Sequence, residues 1–307
     1  MRRTVKSAIE FEGVGLHSGA TVRARIRPCH VGGGLRFRRI DVAQGEGDIP
    51  ARYDLVTDTR LCTKLTNAAG VSLGTVEHVM AALAGSGVTD ALIEVDGPEM
   101  PIMDGSSAPF VAGLLETGFM RVPAVPRAIR ILRPVRVEDG DRSAALLPAP
   151  QLKLRFTIDF PEPAIGTQRL VLGLSGDAFV SELAECRTFC RAGEVEALRR
   201  MGLARGGSLA NAIVVDGGRV LNPEGLRRAD EFVRHKMLDA VGDLALAGAP
   251  IIGAYEGVRA GHEMTNRLLH ALFAAQDAWE WTRPLPGQLP AASGARLPAM
   301  PLEAVAV

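Results

Sequence analysis

Phe232-Val-Arg-His-Lys-Met-Leu-Asp-Ala-Val-Gly-Asp243, followed past Gly248 by Ile251-Ile-Gly-Ala-Tyr255, decides how the chain is built. At about 100° per residue in a helix, His235, Asp239 and Asp243 fall within an arc of roughly 80°, one per turn. Met237, Leu238, Val241, Leu244 and Ala245 occupy the far side, and Phe232 and Leu246 bracket the polar strip. A strip of this kind between apolar residues is the pattern of a pocket wall. The spacing predicts a helix over residues 230–246, a glycine stop at Gly248 and a strand over residues 251–255.

The same order occurs earlier in the chain. Thr75 is placed to cap a helix over residues 76–84, Gly85 and Gly87 stop it, and Ala91-Leu-Ile-Glu-Val95 reads as a strand. Each half then adds another helix, over residues 108–115 and 265–279. Strand-like segments over residues 5–11 and 21–27 open the chain, with Gly13, Gly15 and Gly19 as punctuation. The expected class is therefore α+β, built from two related halves. Two prolines in Arg121-Val-Pro-Ala-Val-Pro-Arg127 mark the seam. This gives an N-terminal domain of residues 1–122, a C-terminal domain of residues 123–284, and a loose tail over residues 285–307, which lack periodicity.

Bulk properties exclude several classes. The 307 residues are 47% apolar, enough for sizeable cores. Lys and Arg number 35 and so do Asp and Glu, so no global field draws the chain to nucleic acid or an anionic membrane. No apolar run approaches the ~18 residues of a membrane span, and no apolar segment follows the early arginines. A cytoplasmic monomer without stable membrane insertion is expected. Cys29, Cys62, Cys186 and Cys190 lack the spacing of a thiolate zinc knuckle and are expected to be free thiols.

A catalytic metal site needs about three protein ligands, and His235 with Asp239 supplies two. His78, in Thr75-Val-Glu-His78, is the strongest third candidate, because a helix N-terminus favours the neutral imidazole that binds metals. Glu77 beside it is suited to general-base work. Lys236 lies only about 20° from Asp243 around the helix and can reach an anionic substrate. Thr188 is a candidate oxyanion donor, and His262 follows the strand that leaves the ligand helix. His17 and His30 sit in turn-like contexts where a ring can cap backbone. Taken alone, these residues also fit a surface His–Asp pair, a solvated lysine, a ferrous oxygenase site or a binding protein without turnover.

In combination they resemble one family. Gly13-Val-Gly-Leu-His-Ser-Gly19, Thr75-Val-Glu-His78, Pro101-Ile-Met-Asp-Gly-Ser106, Ala108-Pro-Phe110, Arg187-Thr-Phe189, Asn222 with Gly225-Leu-Arg227, and the run from Asp230 to Ala240 resemble, in order and spacing, the LpxC family. These are UDP-3-O-acyl-N-acetylglucosamine deacetylases of lipid A biosynthesis. The resemblance implies two α/β sandwich domains with the active site between them. It implies zinc, with ferrous iron as the alternative, held by His78, His235 and Asp239, and Glu77 as base. His262 would be the cationic partner, held by Asp243; Thr188 would serve the oxyanion and Lys236 the diphosphate side of a UDP-linked acylated amino sugar. Asp159 and Phe160 would lie on the nucleotide side, Gly207, Ser208 and Ala212 along the acyl passage beside Phe189, and Leu61 and Cys62 near the cleft. One departure follows Phe189, where many members carry glycine and an aromatic and this chain has Cys190-Arg191. The acyl passage is where that difference would be felt.

Overall fold

The computed structural model describes residues 2–29, 32–292 and 297. It contains two five-stranded sheets of the same design. In the first, the spatial order is Ile9–Val14, Thr21–Pro28, Ala91–Val95, Leu35–Arg39, Asp48–Pro50. In the second it is Val135–Asp139, Arg142–Leu147, Ala254–Val258, Lys153–Asp159, Thr167–Gly173. Numbered along the chain, both sheets read 1-2-5-3-4, and in both the third and fifth strands are parallel while every other pair is antiparallel. The fold is α+β, and the repeated helix-then-strand grammar of the sequence is a repeated topology.

Alternation explains why these strands form half-buried sheets. Val22, Ala24 and Ile26 of Thr21–Pro28 are buried while the residues between them are exposed, and Leu154, Phe156 and Ile158 are buried in Lys153–Asp159 with an exposed Arg155 and a half-buried Thr157 between them. One face packs inward and the other stays wet. The inner faces are covered by helices, of which six are described: α1 (Glu77–Gly85), α2 (Ala108–Thr117), α3 (Gly176–Glu182), α4 (Ala192–Arg200), α5 (Glu231–Ala245) and α6 (His262–Ala274). In the second half, α5 lies on Lys153–Asp159 and Thr167–Gly173, and α6 on Val135–Asp139 and Arg142–Leu147. The halves meet where α1 packs on α5.

Gly242 makes that contact close. A Cβ at this position would stand 2.1 Å from the carbonyl oxygen of Glu77, so only a glycine lets the two backbones approach this far. Each half also carries a smaller three-stranded sheet: Val56–Asp58, Lys64–Thr66 and Ser72–Leu73 in the first, and Phe189–Arg191, Ile213–Asp216 and Arg219–Val220 in the second.

Several boundaries differ from expectation. The segment over residues 5–11 is two strands, because Arg3–Val5 pairs with Phe119–Arg121 and only Ile9–Val14 joins the large sheet. Residues 251–255 also divide. Ile251–Ile252 pairs with Ala128–Ile131 and Ala254–Val258 with Arg142–Leu147, and the chain crosses at Gly253, where a Cβ would lie 2.6 Å from Ile131 and 2.9 Å from the Leu147 carbonyl. Thr75 does not cap α1. It sits at φ 54° with its hydroxyl donated to Glu99, and Val76 precedes the helix without a side-chain cap. The last helix begins at His262, and Trp279 belongs to the strand Trp279–Thr282. Beyond it, residues 283–292 form no helix or strand, and Ala292 is buried, its carbonyl accepting from Arg3. Apart from Leu297, the rest of the expected tail lies outside the described residues.

Candidate active site

The first turn of α1 and the middle of α5 bring His78, His235 and Asp239 together, each buried, with one donor atom apiece all within 4.8 Å of one another. Asp239 Oδ1 is 3.3 Å from His235 Nε2 and 3.7 Å from His78 Nε2. The protonation of His235 is fixed from behind. Its Nδ1 lies 3.0 Å from the carbonyl oxygen of Cys186, so that nitrogen carries the proton and Nε2 presents a lone pair to the carboxylate. The Cys186 carbonyl is itself anchored, because the next residue, Arg187, donates from its backbone and its guanidinium to Glu231 in the first turn of α5.

This arrangement fits a cation. Burial, followed by the neighbouring His235, pushes the His78 imidazole down to about 3, and burial also lowers His235, so both rings are neutral. Asp239 is held well below the usual carboxylate range: burial would raise it, but the positive charge at the site, with the Lys236 ammonium hydrogen-bonded to Oδ2, outweighs that effect. Lone pairs facing a carboxylate at this distance in a dry site are unfavourable unless a positive ion lies among them. Asp239 Oδ1, the oxygen that faces both imidazoles, is buried without a hydrogen-bond partner among the described residues, as suits an oxygen that binds a cation.

Around this trio stand four more charged groups. Lys236 Nζ donates to Asp239 Oδ2 at 2.7 Å, so its ammonium is engaged by the donor set itself. His262, the first residue of α6, places Nδ1 2.8 Å from Asp243 Oδ2 and Nε2 3.9 Å from Glu77 Oε1. Burial alone would lower its pKa, but the charge of Asp243 prevails and raises it to about 9. Burial does the reverse to Glu77, whose carboxyl rises to about 7 against the pull of His262. A carboxyl raised toward neutrality and a cationic imidazole thus face one another beside the donor trio. The helical arc had grouped His235, Asp239 and Asp243; the fold divides them, with Asp239 toward the trio and Asp243 toward His262.

The remaining candidates fall into two groups. Phe189 is close to the centre: its ring meets His235 edge-on at 6.3 Å between centroids and Phe232 at 5.0 Å, and Phe160 packs on it at 5.5 Å. Thr188 is half-buried and pinned by its backbone, its N–H to Gly105 and its carbonyl to Ile213. Cys62 is buried, and burial followed by the charge of Glu77 pushes its thiol up to about 12, so it is inert; Leu61 beside it is exposed. Ser208 donates its backbone N–H to Asn211, after Gly207, and Ala212 is buried. Asp159 is on the surface, accepting from Thr167 and Arg259. Neither partner belongs to the trio or to the charged groups around it.

Three features escaped the sequence. The Cys186 carbonyl orients His235 from 49 residues away, the Arg187–Glu231 pair that anchors it joins residues 44 apart, and Thr63 bonds to both Glu77 and Asp243. His17 corrects an expectation: its ring caps nothing, both ring nitrogens being buried and unpartnered among the described residues, while its backbone N–H donates to Glu99. His30 lies outside the described residues.

The sequence model of LpxC, described as UDP-3-O-acyl N-acetylglycosamine deacetylase, matches residues 2–274. A UDP-3-O-acyl-N-acetylglucosamine deacetylase of Phenylobacterium zucineum is 54% identical over 278 residues, 91% of this chain and 95% of that protein. Proteins of the same name from Shewanella frigidimarina and Legionella pneumophila are 47% and 48% identical, over 91% and 92% of this chain and 92% of each relative. With 273 residues inside one family match, and relatives this similar along nearly their whole length, the chain belongs to the LpxC family of UDP-3-O-acyl N-acetylglycosamine deacetylases.

Proposed function

We propose that this chain is a zinc-dependent amidase that removes the N-acetyl group of UDP-3-O-acyl-N-acetylglucosamine, releasing acetate and the free amine, an early step of lipid A biosynthesis. The observation that carries the reading is the buried His78–His235–Asp239 trio with a base and a cationic imidazole beside it. When bound there, a divalent cation supplies Lewis acidity toward the acetamide carbonyl.

The chain's own groups do the rest. Glu77, raised by burial to about 7, is ionised in a good fraction of molecules near neutral pH and basic enough to take a proton from the attacking water. His262, kept protonated by Asp243, opposes the negative charge that develops on the carbonyl oxygen. Thr188 is the neutral donor to the same oxygen. The C–N bond then breaks, and the amine departs with a proton from Glu77 or His262.

Lys236 steadies Asp239 and presents positive charge toward the diphosphate. Phe189 and Phe160 supply apolar walls, with Gly207, Ser208 and Ala212 along the acyl passage, Leu61 and Cys62 at the cleft, and Asp159 on the nucleotide side. The division into residues 1–122 and 123–284 belongs to the same reading and is supported by the repeated sheet order. So do a monomeric state and a cytoplasmic place; among the described residues no helix is long and apolar enough to cross a membrane.

The test is acetate release from the UDP-linked substrate by the purified chain, before chelation, after it, and after zinc or ferrous iron is restored. Activity that is lost with chelator and regained with zinc is expected. No release in any state, with the protein folded, refutes the reading.

A further inference from the structure

Thr63 stands in the turn between Val56–Asp58 and Lys64–Thr66, 2% exposed, and uses every polar atom it has on the site. Its carbonyl accepts from Val76 N–H at 3.3 Å, which ties the turn to the start of α1. Its own N–H donates to Glu77 Oε2 at 3.0 Å, and its hydroxyl donates to Asp243 Oδ1 at 2.6 Å. Asp243 Oδ2 in turn holds His262, whose Nε2 faces Glu77 Oε1. The four residues close a ring, Glu77–Thr63–Asp243–His262.

We infer that Thr63 is a positioning residue that sets base and acid at a fixed separation across the seam, an inference that rests on the deacetylase reading above. The ring explains why one residue can do this. A carboxylate with one oxygen bonded is free to turn about its terminal torsion, whereas one bonded at both oxygens is not. Asp243 without the hydroxyl keeps only its bond to His262, and the imidazole then moves with it. Glu77 keeps its bond, because that donor is backbone. Loss of the hydroxyl therefore disturbs the acid arm while leaving the base and the donor trio in place.

Valine at Thr63 replaces the hydroxyl with a methyl of similar size, and serine restores the hydroxyl. Thr63→Val should lower kcat by about tenfold to a hundredfold, the scale on which outer-shell partners act, with KM and metal content near those of the wild type. Thr63→Ser should recover most of that loss. If Thr63 acts through Asp243, Thr63→Val should cost little further in an Asp243→Ala background.

An unchanged kcat in Thr63→Val overturns the inference. So does an equal loss in valine and serine variants, or full additivity with Asp243→Ala, since either marks a role in packing alone. Should the valine variant not fold, Thr63→Ala carries the same comparison with serine. Failure of the wild type to release acetate would instead defeat the deacetylase reading, so the two outcomes are separable.

Discussion

Replacing Gly242 by alanine sets two effects of opposite sign against each other. Alanine in a helix interior is favoured over glycine by about 1 kcal/mol, so on propensity alone α5 gains. The added Cβ, however, would stand 2.1 Å from the Glu77 oxygen and 2.9 Å from its carbonyl carbon, about 1.3 Å short of the 3.4 Å at which ordinary contact begins. Both atoms belong to the backbone of α1, so no side chain can swing aside and the helices must part. Overpacking of this kind costs about 1–3 kcal/mol, which leaves a net loss between about zero and 2 kcal/mol.

Function should suffer more than stability. Parting the helices moves Glu77 and His78 on α1 against His235, Asp239 and Asp243 on α5, and a displacement of about 1 Å at a reacting centre costs on the order of 100-fold in rate. Thermal unfolding, metal content and kcat/KM should be measured beside Gly193→Ala, a helical glycine with nothing within 4 Å of its added Cβ. The expectation is a small fall in Tm for Gly242→Ala, a roughly 100-fold loss of activity and weaker metal retention, against a neutral or stabilising control. A Gly242→Ala protein as stable and active as the wild type would show that the helix contact does not set the site.

Other consequences can be tested in the same preparation. Glu77→Gln should keep its metal and lose about 10²- to 10⁴-fold in kcat; near-normal turnover would remove Glu77 as base. The ionised Glu77 and protonated His262 coexist best between about 7 and about 9, so kcat/KM should fall as pH drops below that window and again as it rises above it. Asp243→Asn takes away the charge that raises His262, so its alkaline limb should shift to lower pH; an unmoved limb assigns that ionisation elsewhere. A bound dication acts on both groups in one direction and draws both limbs downward. His78→Ala should lose metal and, with it, the rise in Tm on adding zinc; undiminished zinc content would exclude His78 as a ligand.

Local signals in the chain were readable and distant ones were not. The spacing of His235 and Asp239 needs only helical periodicity, and Gly87 and Gly248 follow their helices in the left-handed conformation a stop requires, whereas Gly85, expected as a stop, is the last residue inside α1 and packs on Phe179. The misplaced elements are those that depend on partners: Gly253 divides a continuous apolar run because two sheets claim its ends, and Thr75 gives up a cap it is chemically suited to because Glu99 takes its hydroxyl. The start of α6 at His262 has no capping side chain to announce it. Thr63 is the extreme case. Nothing in Leu61-Cys-Thr-Lys64 marks it, and its partner in the acid arm lies 180 residues away. His78 and Glu77 could be offered as partners of the α5 residues from their place at a helix start, and His262 from its place after a strand, but helix geometry says nothing about which helix meets which, so the family resemblance was needed to join them into one set.

With one member of the trio on α1 and two on α5, turnover can serve as a ruler for the seam. Any ligand, fusion or distant substitution that opens the α1–α5 contact would dim the reaction before it unfolded either half. Acetate release could therefore report movements between the two sheets that circular dichroism, which sees only helix and strand content, would pass over.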